Sequence, residues 1–301
     1  MQSIAERNTA LALALAMMTA AAVIGLSATS ANSARGASHA YIYWSTNGGL
    51  IGRANVDGMH ANPRFIHGLQ MGLCGVAVDR SHVYWTSENA KSVGRADLDG
   101  SHVNQSFIKG ALGPCGVAVS GSHILWADTF QASGFEIGRA SLDGKDAVSA
   151  FIRGATGPCG VAVDGAHIYW VNEGSSTIGR ANLDGTHVNE NFVPTLSYAC
   201  GVAVDSAHIY WANTGAPNSS TTSIGRANLN GTGVNQNFIK STYAPCGVAV
   251  YRGHLYWANI GQPPNNAAFS GTTIGRADID GTHVNQRFIK GANGPCGVAV
   301  G

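Results

Sequence analysis

Charged residues are scarce in this sequence, and beyond its first 34 residues it has no long apolar run. Only 12% of the 301 residues are charged, and the formal net charge is +1. The chain therefore lacks the basic excess that attracts nucleic acid or an anionic membrane surface. No stretch after residue 34 approaches the ~18 apolar residues that a membrane helix needs. We expect no nucleic-acid partner and no membrane span in the mature chain.

Recognisable catalytic motifs are also missing. The sequence has no nucleophile elbow, no phosphate-binding loop and no Ser-His-Asp arrangement. No His-Glu cluster occurs at a spacing that would bind a metal. The Glu residues after position 34 are Glu88, Glu136, Glu173 and Glu190. We therefore assign no catalytic residue, metal or cofactor, and an enzyme is the weaker hypothesis.

The first 34 residues have the pattern of a secretory signal peptide. A polar start ends at Arg7, an apolar stretch runs from about Thr9 to Leu26, and small residues continue to Ala34. An uncleaved membrane anchor is the alternative, because the apolar stretch is long for a signal. We expect a secreted or otherwise extracytoplasmic protein, held at the cell surface if the signal is not removed.

The remainder of the chain is one unit repeated six times, each copy marked by a Cys, a Trp and the Arg of a Gly-Arg-Ala triplet. The markers are Cys74, Cys115, Cys159, Cys200, Cys246 and Cys296; Trp44, Trp85, Trp126, Trp170, Trp211 and Trp257; and Arg53, Arg95, Arg139, Arg180, Arg226 and Arg276. From each of the first five Cys residues to the next Trp is 11 residues, and from each Arg to the next Cys is 20 or 21. Only the Trp-to-Arg interval varies, from 9 to 19 residues. One loop per unit therefore tolerates insertion on a fixed framework.

Each unit contains four strand-like runs, which we label a to d. In one unit they are residues 201–204, 208–211, 224–229 and 237–239. The Asp-Gly or Asn-Gly pair between c and d is typical of a tight hairpin. Four antiparallel strands, six times over, predict an all-β, six-bladed β-propeller over residues 39–301. The chain starts on a strand b (41–44) and ends on a strand a (297–300), so we predict that these two pair and close the ring.

The repeated residues are interpreted as framework. Strand a is apolar on both sides, as expected for the innermost strand of a blade. The adjacent Tyr and Trp of strand b point to opposite faces, so we expect one to pack on the preceding blade and the other on the following blade. The six Arg side chains are expected to satisfy loop carbonyls or a neighbouring Asp or Asn rather than to form an anion-binding ring.

At this level of detail the unit resembles a known repeat. Residues 210–213 (YWAN), 224–231 (IGRANLNG) and 245–250 (PCGVAV) resemble a low-density-lipoprotein-receptor class B repeat. This YWTD family is known to form six-bladed propellers. The fourth motif position departs from the family in all units but one: Thr46, Ser87, Asp128, Asn172, Asn213 and Asn259. The Ile-Gly-Arg and Asp-Gly elements are also similar to virginiamycin B lyase, a seven-bladed propeller, which would imply a metal held by Glu beside a His base.

The six cysteines occupy one position per unit and therefore form a ring around the propeller axis. Cysteines of exported proteins often form disulfides. A bond between neighbours would need a Cα ring radius below about 7 Å, which is tight for a central channel. We therefore expect six buried free thiols that act as small apolar fillers. Three disulfides and a metal site are the alternatives.

The two ends of the propeller differ in character. One end, formed by the a–b and c–d turns, carries two groups of His residues: His82, His123, His167, His208 and His254, and His60, His102, His187 and His283. We expect these to be solvated turn residues, with a metal-binding or pH-sensing surface as the alternative. The other end carries all the variation in loop length, and long loops on a rigid scaffold commonly bind ligands.

We predict that the long b–c loops bind a protein, peptide or glycan. The candidate binding residues are Asp128, Phe130, Phe135, Glu136, Asn218, Asn265, Asn266 and Phe269. The predicted function is that of a secreted, monomeric binding module. The alternative is an exported propeller enzyme, a lyase or a lactone hydrolase, with a metal in the central channel.

Overall fold

The strands of the propeller follow the sequence repeat closely. The computed structural model describes residues 40–129, 136–215, 222–261 and 272–301. In chain order the strands are β1 (Tyr41–Thr46), β2 (Leu50–Asn55), β3 (Asn62–Ile66), β4 (Leu73–Val78), β5 (His82–Ser87), β6 (Ser92–Asp97), β7 (Asn104–Lys109), β8 (Pro114–Ser120), β9 (His123–Asp128), β10 (Glu136–Ser141), β11 (Val148–Arg153), β12 (Pro158–Val163), β13 (His167–Asn172), β14 (Thr177–Asn182), β15 (Asn189–Pro194), β16 (Ala199–Val204), β17 (His208–Asn213), β18 (Ser223–Asn228), β19 (Asn235–Lys240), β20 (Pro245–Tyr251), β21 (His254–Asn259), β22 (Thr273–Asp278), β23 (Asn285–Lys290) and β24 (Pro295–Val300).

These strands form six separate four-stranded antiparallel sheets, which are the blades. Blade 1 has the order β24-β1-β2-β3, and blades 2 to 6 each take four consecutive strands, from β4–β7 to β20–β23. The predicted all-β, six-bladed propeller is therefore confirmed. In every blade strand a is innermost, next to the corresponding strands of its two neighbours.

Ring closure by strand pairing is also confirmed. The C-terminal strand β24 pairs with β1, with Ile42 opposite Val300 and Trp44 opposite Val298. Two further backbone hydrogen bonds join Tyr41 and Gly301. Blade 1 is thus built from both ends of the chain, and neither end leaves an open sheet edge at the axis.

The hydrophobic core lies between blades. Five of the six buried clusters join the strand-b Tyr of one blade to the Trp of the next, as in the cluster that contains Tyr169 and Trp211. In the sixth cluster Leu125 of blade 3 takes the place of the Tyr and packs with Trp170. Opposite each Trp on strand c is a Gly, such as Gly179 opposite Trp170. A Cβ on Gly179 would lie 2.3 Å from Trp170 Cε2, so the indole lies flat on bare backbone. The predicted division of Tyr and Trp between neighbouring blades is what the clusters show.

The six framework Arg residues lie over aromatic rings. Each guanidinium stacks on the Phe of strand d in its own blade, with Cζ between 3.8 and 4.4 Å from the ring centroid. Two of them also donate to the carbonyl of a Leu in the next blade: Arg53 to Leu98 and Arg95 to Leu142. The carbonyl contacts match the expectation. The cation–π stacks are an addition to it, although the Phe follows its Arg by twelve residues in every unit.

The predicted signal peptide lies outside the described residues. In the part of the chain that the structure describes, no helix is long and apolar enough to cross a membrane.

Candidate functional site: the central channel and the loop face

The cysteine ring lines the channel as three disulfides, and the expectation of free thiols is wrong. The bonds are Cys74–Cys115, Cys159–Cys200 and Cys246–Cys296, with Cα–Cα distances of 4.8, 5.2 and 5.2 Å. Each bond joins two neighbouring blades. The Cα separations lie inside the range that a disulfide spans, so the ring is narrower than the sequence argument assumed.

The glycine that follows each cysteine explains the narrow ring. A Cβ on Gly75 would lie 2.3 Å from the carbonyl O of Cys115, and a Cβ on Gly160 would lie 2.4 Å from that of Cys200. The remaining four positions repeat the contact. Any side chain there would push neighbouring blades apart, so Gly lets the six inner strands approach to bonding distance. The Cys-Gly dipeptide is therefore the sequence feature that permits the close approach.

A β-bulge aims the cysteines at the axis. In the pairing of β12 with β13, the register shifts between Pro158 and Val161, so Cys159 and Gly160 together oppose one residue of strand b. The same shift occurs in the other five blades. Two residues opposite one is the arrangement that re-aims a side chain within a strand. The six Cys-Gly-Val segments surround a cavity with about 60 Å³ of space for water.

Two carboxyls, Glu88 and Glu173, directly follow strand b in blades 2 and 4, and Glu88 lies beside the cysteine ring. A carboxylate oxygen of Glu88 lies within 4.8 Å of Sγ of both Cys74 and Cys115. Desolvation raises the pKa of Glu88 and, in the equivalent position, that of Glu173. Glu173 is the more exposed of the two, and it belongs to no comparable cluster of donor atoms in the described residues.

The b–c and d–a loops together form what we call the loop face. Six of the predicted binding residues lie outside the described residues: Phe130, Phe135, Asn218, Asn265, Asn266 and Phe269. The other two, Asp128 and Glu136, face each other at the base of one long loop, where β9 ends and β10 begins. Both are buried. The structure therefore places these two in buried positions at the strand ends that flank the loop, and the binding role of the whole group stays a prediction.

Asp128 is part of a buried hydrogen-bond network. Its Oδ1 accepts from the backbone N–H of Leu112 at 2.9 Å, and its Oδ2 accepts from the Trp126 indole at 3.0 Å. Burial is the main cause that raises the pKa of Asp128 to about 6, aided by the nearby Glu136 carboxylate and opposed by these two hydrogen bonds. The carboxyl therefore ties the d–a loop to the blade rather than offering itself to a ligand.

The loop face carries an exposed aromatic residue that is not among the predicted binding residues. Tyr198, in the d–a loop before β16, is 45% exposed and has a φ of +61°. Its counterparts in four other blades are glycines with positive φ: Gly72, Gly113, Gly157 and Gly294. A side chain in this conformation costs about 1–2 kcal/mol. A strained, exposed aromatic where the repeat favours Gly is a candidate binding residue.

Met71 lies in the corresponding loop of blade 2 and is 64% exposed. The next residue, Gly72, is hydrogen-bonded to the b–c loops of blades 1 and 2 through Asn47 and Glu88. Tyr198 likewise accepts from the backbone of Thr214 at 3.1 Å. Backbone hydrogen bonds therefore fix both d–a loops, which lead into the innermost strands β4 and β16.

Charge is distributed unequally between the two ends of the propeller. The last residue of strand d, or the residue after it, is exposed and basic in five blades, on the outer rim of the loop face: His67, Lys109, Arg153, Lys240 and Lys290. The described Asp residues other than Asp128 lie at the opposite end, the turn face, which the a–b and c–d turns form. The net charge near zero is therefore the sum of a basic rim at one end of the propeller and an acidic surface at the other.

The His residues of the two predicted groups lie on the turn face, as predicted, and several lie close to carboxylates. His102 Nδ1 lies 2.8 Å from Asp97 Oδ2, and His283 Nδ1 lies 2.8 Å from Asp278 Oδ2. Both His side chains are largely exposed. These pairs are local turn contacts, which fits the expectation that the His residues are solvated turn residues.

Comparison with known proteins shows the fold alone. No family model matches the chain, and no curated protein matches it. A chain in the crystal structure of a nidogen/laminin complex superposes with a TM-score of 0.68 at 21% identity, covering 87% of this chain and 98% of that one. A gluconolactonase from Xanthomonas campestris gives a TM-score of 0.52 at 18% identity, covering 69% and 73%. The PQQ-bound aldose sugar dehydrogenase from Streptomyces coelicolor gives 0.57 at 16% identity, covering 86% and 89%. Binding proteins and enzymes share this architecture.

Proposed function

We propose that this protein is an exported binding module that takes an acidic protein, peptide or glycan on its loop face. The observation that carries the proposal is Tyr198, an exposed aromatic held at positive φ where the repeat favours Gly. Its strain is costly and adds nothing to the core, which is consistent with a role in binding.

The chemistry of the ligand follows from the rim. Lys109, Arg153, Lys240 and Lys290 are exposed and occupy the same register position in four blades. Basic side chains around an apolar centre favour a ligand that carries negative charge and an apolar or sugar-ring surface. The strand ends that flank the predicted long loops lie at the same end of the propeller.

An extracytoplasmic location supports this role. The three disulfides are typical of proteins that fold in an oxidising compartment. The predicted signal peptide gives the route of export. The similarity in fold to a chain of the nidogen/laminin complex provides one example of this architecture in a protein complex.

The alternative, an exported lyase or lactone hydrolase, would place a divalent metal in the channel. Hard cations prefer several oxygen ligands. The described channel lining offers disulfide sulfur, backbone and one close carboxylate, Glu88. This donor set does not fit such a metal, and we derive no catalytic step from one.

Binding to two immobilised probes tests the proposal: heparin as an anionic glycan, and poly-glutamate as an acidic polypeptide. We expect binding to at least one probe, weakened by added salt because exposed charges are screened. Replacing Lys109, Arg153, Lys240 and Lys290 by Gln should reduce affinity by roughly tenfold or more, about 1.4 kcal/mol.

The matched control removes basic residues from the turn face instead, with Arg80, Lys145 and Arg252 replaced by Gln. All three are exposed. This control should retain binding. Equal losses in the two variants, or no binding to either probe, would contradict the proposal.

A further inference from the structure

The six cysteine sulfurs form a closed ring in which bonded and non-bonded neighbours alternate. Between the three disulfides, the Sγ–Sγ distances are 4.0 Å for Cys74–Cys296, 3.5 Å for Cys115–Cys159 and 4.0 Å for Cys200–Cys246. Every sulfur therefore lies within contact distance of a sulfur in the next disulfide. Isolated structural disulfides have no such neighbour.

We propose that this ring is a thiol–disulfide exchange site for small thiols that enter through the channel mouth. The ring has two equivalent sets of three bonds, the one present and the one that joins the pairs now in contact. Exchange between neighbouring sulfurs converts one set into the other. This activity is independent of ligand binding on the loop face.

The chemistry begins with an external thiolate, such as that of glutathione. It attacks Sγ of Cys74, the Cys74–Cys115 bond breaks, and the thiolate of Cys115 leaves. Cys115 then attacks Cys159, and Cys200 leaves; Cys200 attacks Cys246, and Cys296 leaves. When Cys296 attacks Cys74, the external thiolate is released and every bond has moved by one position. No electrons are gained or lost in this cycle.

A second external thiol can interrupt the cycle. It attacks the mixed disulfide on Cys74 and releases an external disulfide together with the Cys74 thiolate. The net reaction oxidises two external thiols to one disulfide and reduces one ring disulfide to two thiols, a transfer of two electrons and two protons. The ring then holds one dithiol, whose position moves by the same exchange.

The exposure of the cysteines gives each bond a point of entry. Cys115, Cys159 and Cys246 are buried, whereas Cys74, Cys200 and Cys296 are partly exposed. Every disulfide joins one residue of each kind. An external thiolate therefore has one accessible sulfur in each bond, and the buried sulfur is the leaving group.

Glu88 is placed to move the proton. Its carboxylate oxygen lies within 4.8 Å of both sulfurs of the Cys74–Cys115 bond. One bridging water brings a carboxylate at this distance within reach of either sulfur, so that it can accept the proton of a thiol and return it to the leaving thiolate. Glu173 has the equivalent position in blade 4 but belongs to no such group in the described part of the chain. It is the natural control.

The variant Cys74→Ser gives the sharpest test, because it leaves five cysteines and one free thiol. If neighbouring sulfurs exchange, each exchange moves the free thiol by two cysteine positions along the ring, because the attacked disulfide releases its far sulfur. It should then be found at Cys115, Cys200 and Cys296, and never at Cys159 or Cys246. Acid quenching, unfolding and maleimide labelling at acidic pH would trap it, since exchange requires a thiolate. Cleavage after Lys and Arg places each cysteine on its own peptide.

The pattern of labelling decides the question. A free thiol that stays on Cys115 alone would overturn the proposal and leave three static bonds. Labelling at all five cysteines would also overturn it, because that is random scrambling. Protein unfolded in urea before the quench provides the scrambled reference.

The wild-type protein gives a second test that requires no folding of a variant. Incubation with a catalytic amount of glutathione should yield the second set of bonds, Cys115–Cys159, Cys200–Cys246 and Cys74–Cys296, in peptide maps. Retention of the original set alone would refute exchange. The variant Glu88→Gln should slow the conversion, on the order of 10²-fold, whereas Glu173→Gln should not. Equal rates in the two variants would remove Glu88 from the proposal.

Discussion

Trp126 donates its indole N–H to Asp128, two residues further along the same strand, at 3.0 Å. In blade 4 the indole of Trp170 donates instead to Glu190 of strand d at 3.0 Å. Blades 5 and 6 use a strand-d Gln in the same way. Blade 3 has Ser149 at that position, which is too short to reach the indole. Asp128 thus replaces an acceptor that blades 4 to 6 take from strand d, whereas the indole of Trp44 in blade 1 donates to the carbonyl of Ala292.

The first prediction removes this acceptor. Asp128→Asn matches the residue of blades 4 to 6, yet it should destabilise the protein by about 1–3 kcal/mol, because the indole of Trp126 is left facing an amide N–H₂. Adding Ser149→Gln should restore most of the loss by supplying an acceptor from strand d. Urea denaturation of the two single variants and the double variant measures the coupling. Additive effects would show that the two positions do not share the indole.

The second prediction concerns pH. The pKa of Asp128 is raised to about 6 from an ordinary value of 3.8. Between these values the folded protein binds a proton that the unfolded chain does not. This carboxyl therefore makes stability fall as pH rises from about 4 to about 6, by at most about 1.4 kcal/mol per pH unit. Denaturation curves of the wild type and of Asp128→Asn with Ser149→Gln should differ in slope in this window and run parallel above it. Parallel curves throughout would contradict the assignment.

The third prediction concerns the glycine under each Trp. Gly179→Ala should destabilise the protein by roughly 1–3 kcal/mol or more, because the new Cβ would overlap the indole of Trp170. Gly165→Ala is the matched control: no atom lies within 4 Å of its added Cβ, and its φ is not positive. It should change stability by less than about 0.5 kcal/mol. Thermal unfolding of both variants measures the difference.

The fourth prediction separates strain from binding at Tyr198. Tyr198→Gly should stabilise the protein by about 1 kcal/mol, because Gly adopts positive φ without cost. The same variant should bind the acidic probes more weakly. Tyr198→Phe keeps both the strain and the ring and should leave stability unchanged. A Gly variant that binds as well as the wild type would show that the ring has no part in binding.

The fifth prediction concerns ring closure. Deletion of residues 296–301 should abolish soluble folding, because β1 loses its partner strand and the cluster around Trp44 loses Val298 and Val300. The deletion also removes Cys296, so the control is full-length protein with Cys246→Ser and Cys296→Ser. That control should fold with reduced stability, by about 2–5 kcal/mol. A truncated protein with unchanged melting behaviour would rule out the closure.

Much of this architecture could be predicted from the repeat, while its chemistry could not. Constant spacing between Cys, Trp and Arg is a property of the chain itself, so the blade count and the closure were available without coordinates. The Arg–Phe stacks were also visible as a constant interval of twelve residues, although the sequence analysis did not use it. The state of the cysteines was not available in this way, because it depends on the radius of the ring.

The amino-acid sequence by itself determined that six equal blades form and that the chain ends complete one of them. Only the tertiary structure decided what lies at the axis. Six Cys-Gly bulges converge there, and because Gly has no side chain the inner strands approach until neighbouring sulfurs bond or touch. The tertiary structure also decided which residues of the repeat are exposed. Tyr198 differs from its glycine counterparts by one letter in the sequence, and its exposure, at a φ that Gly adopts without strain, makes it a candidate binding residue.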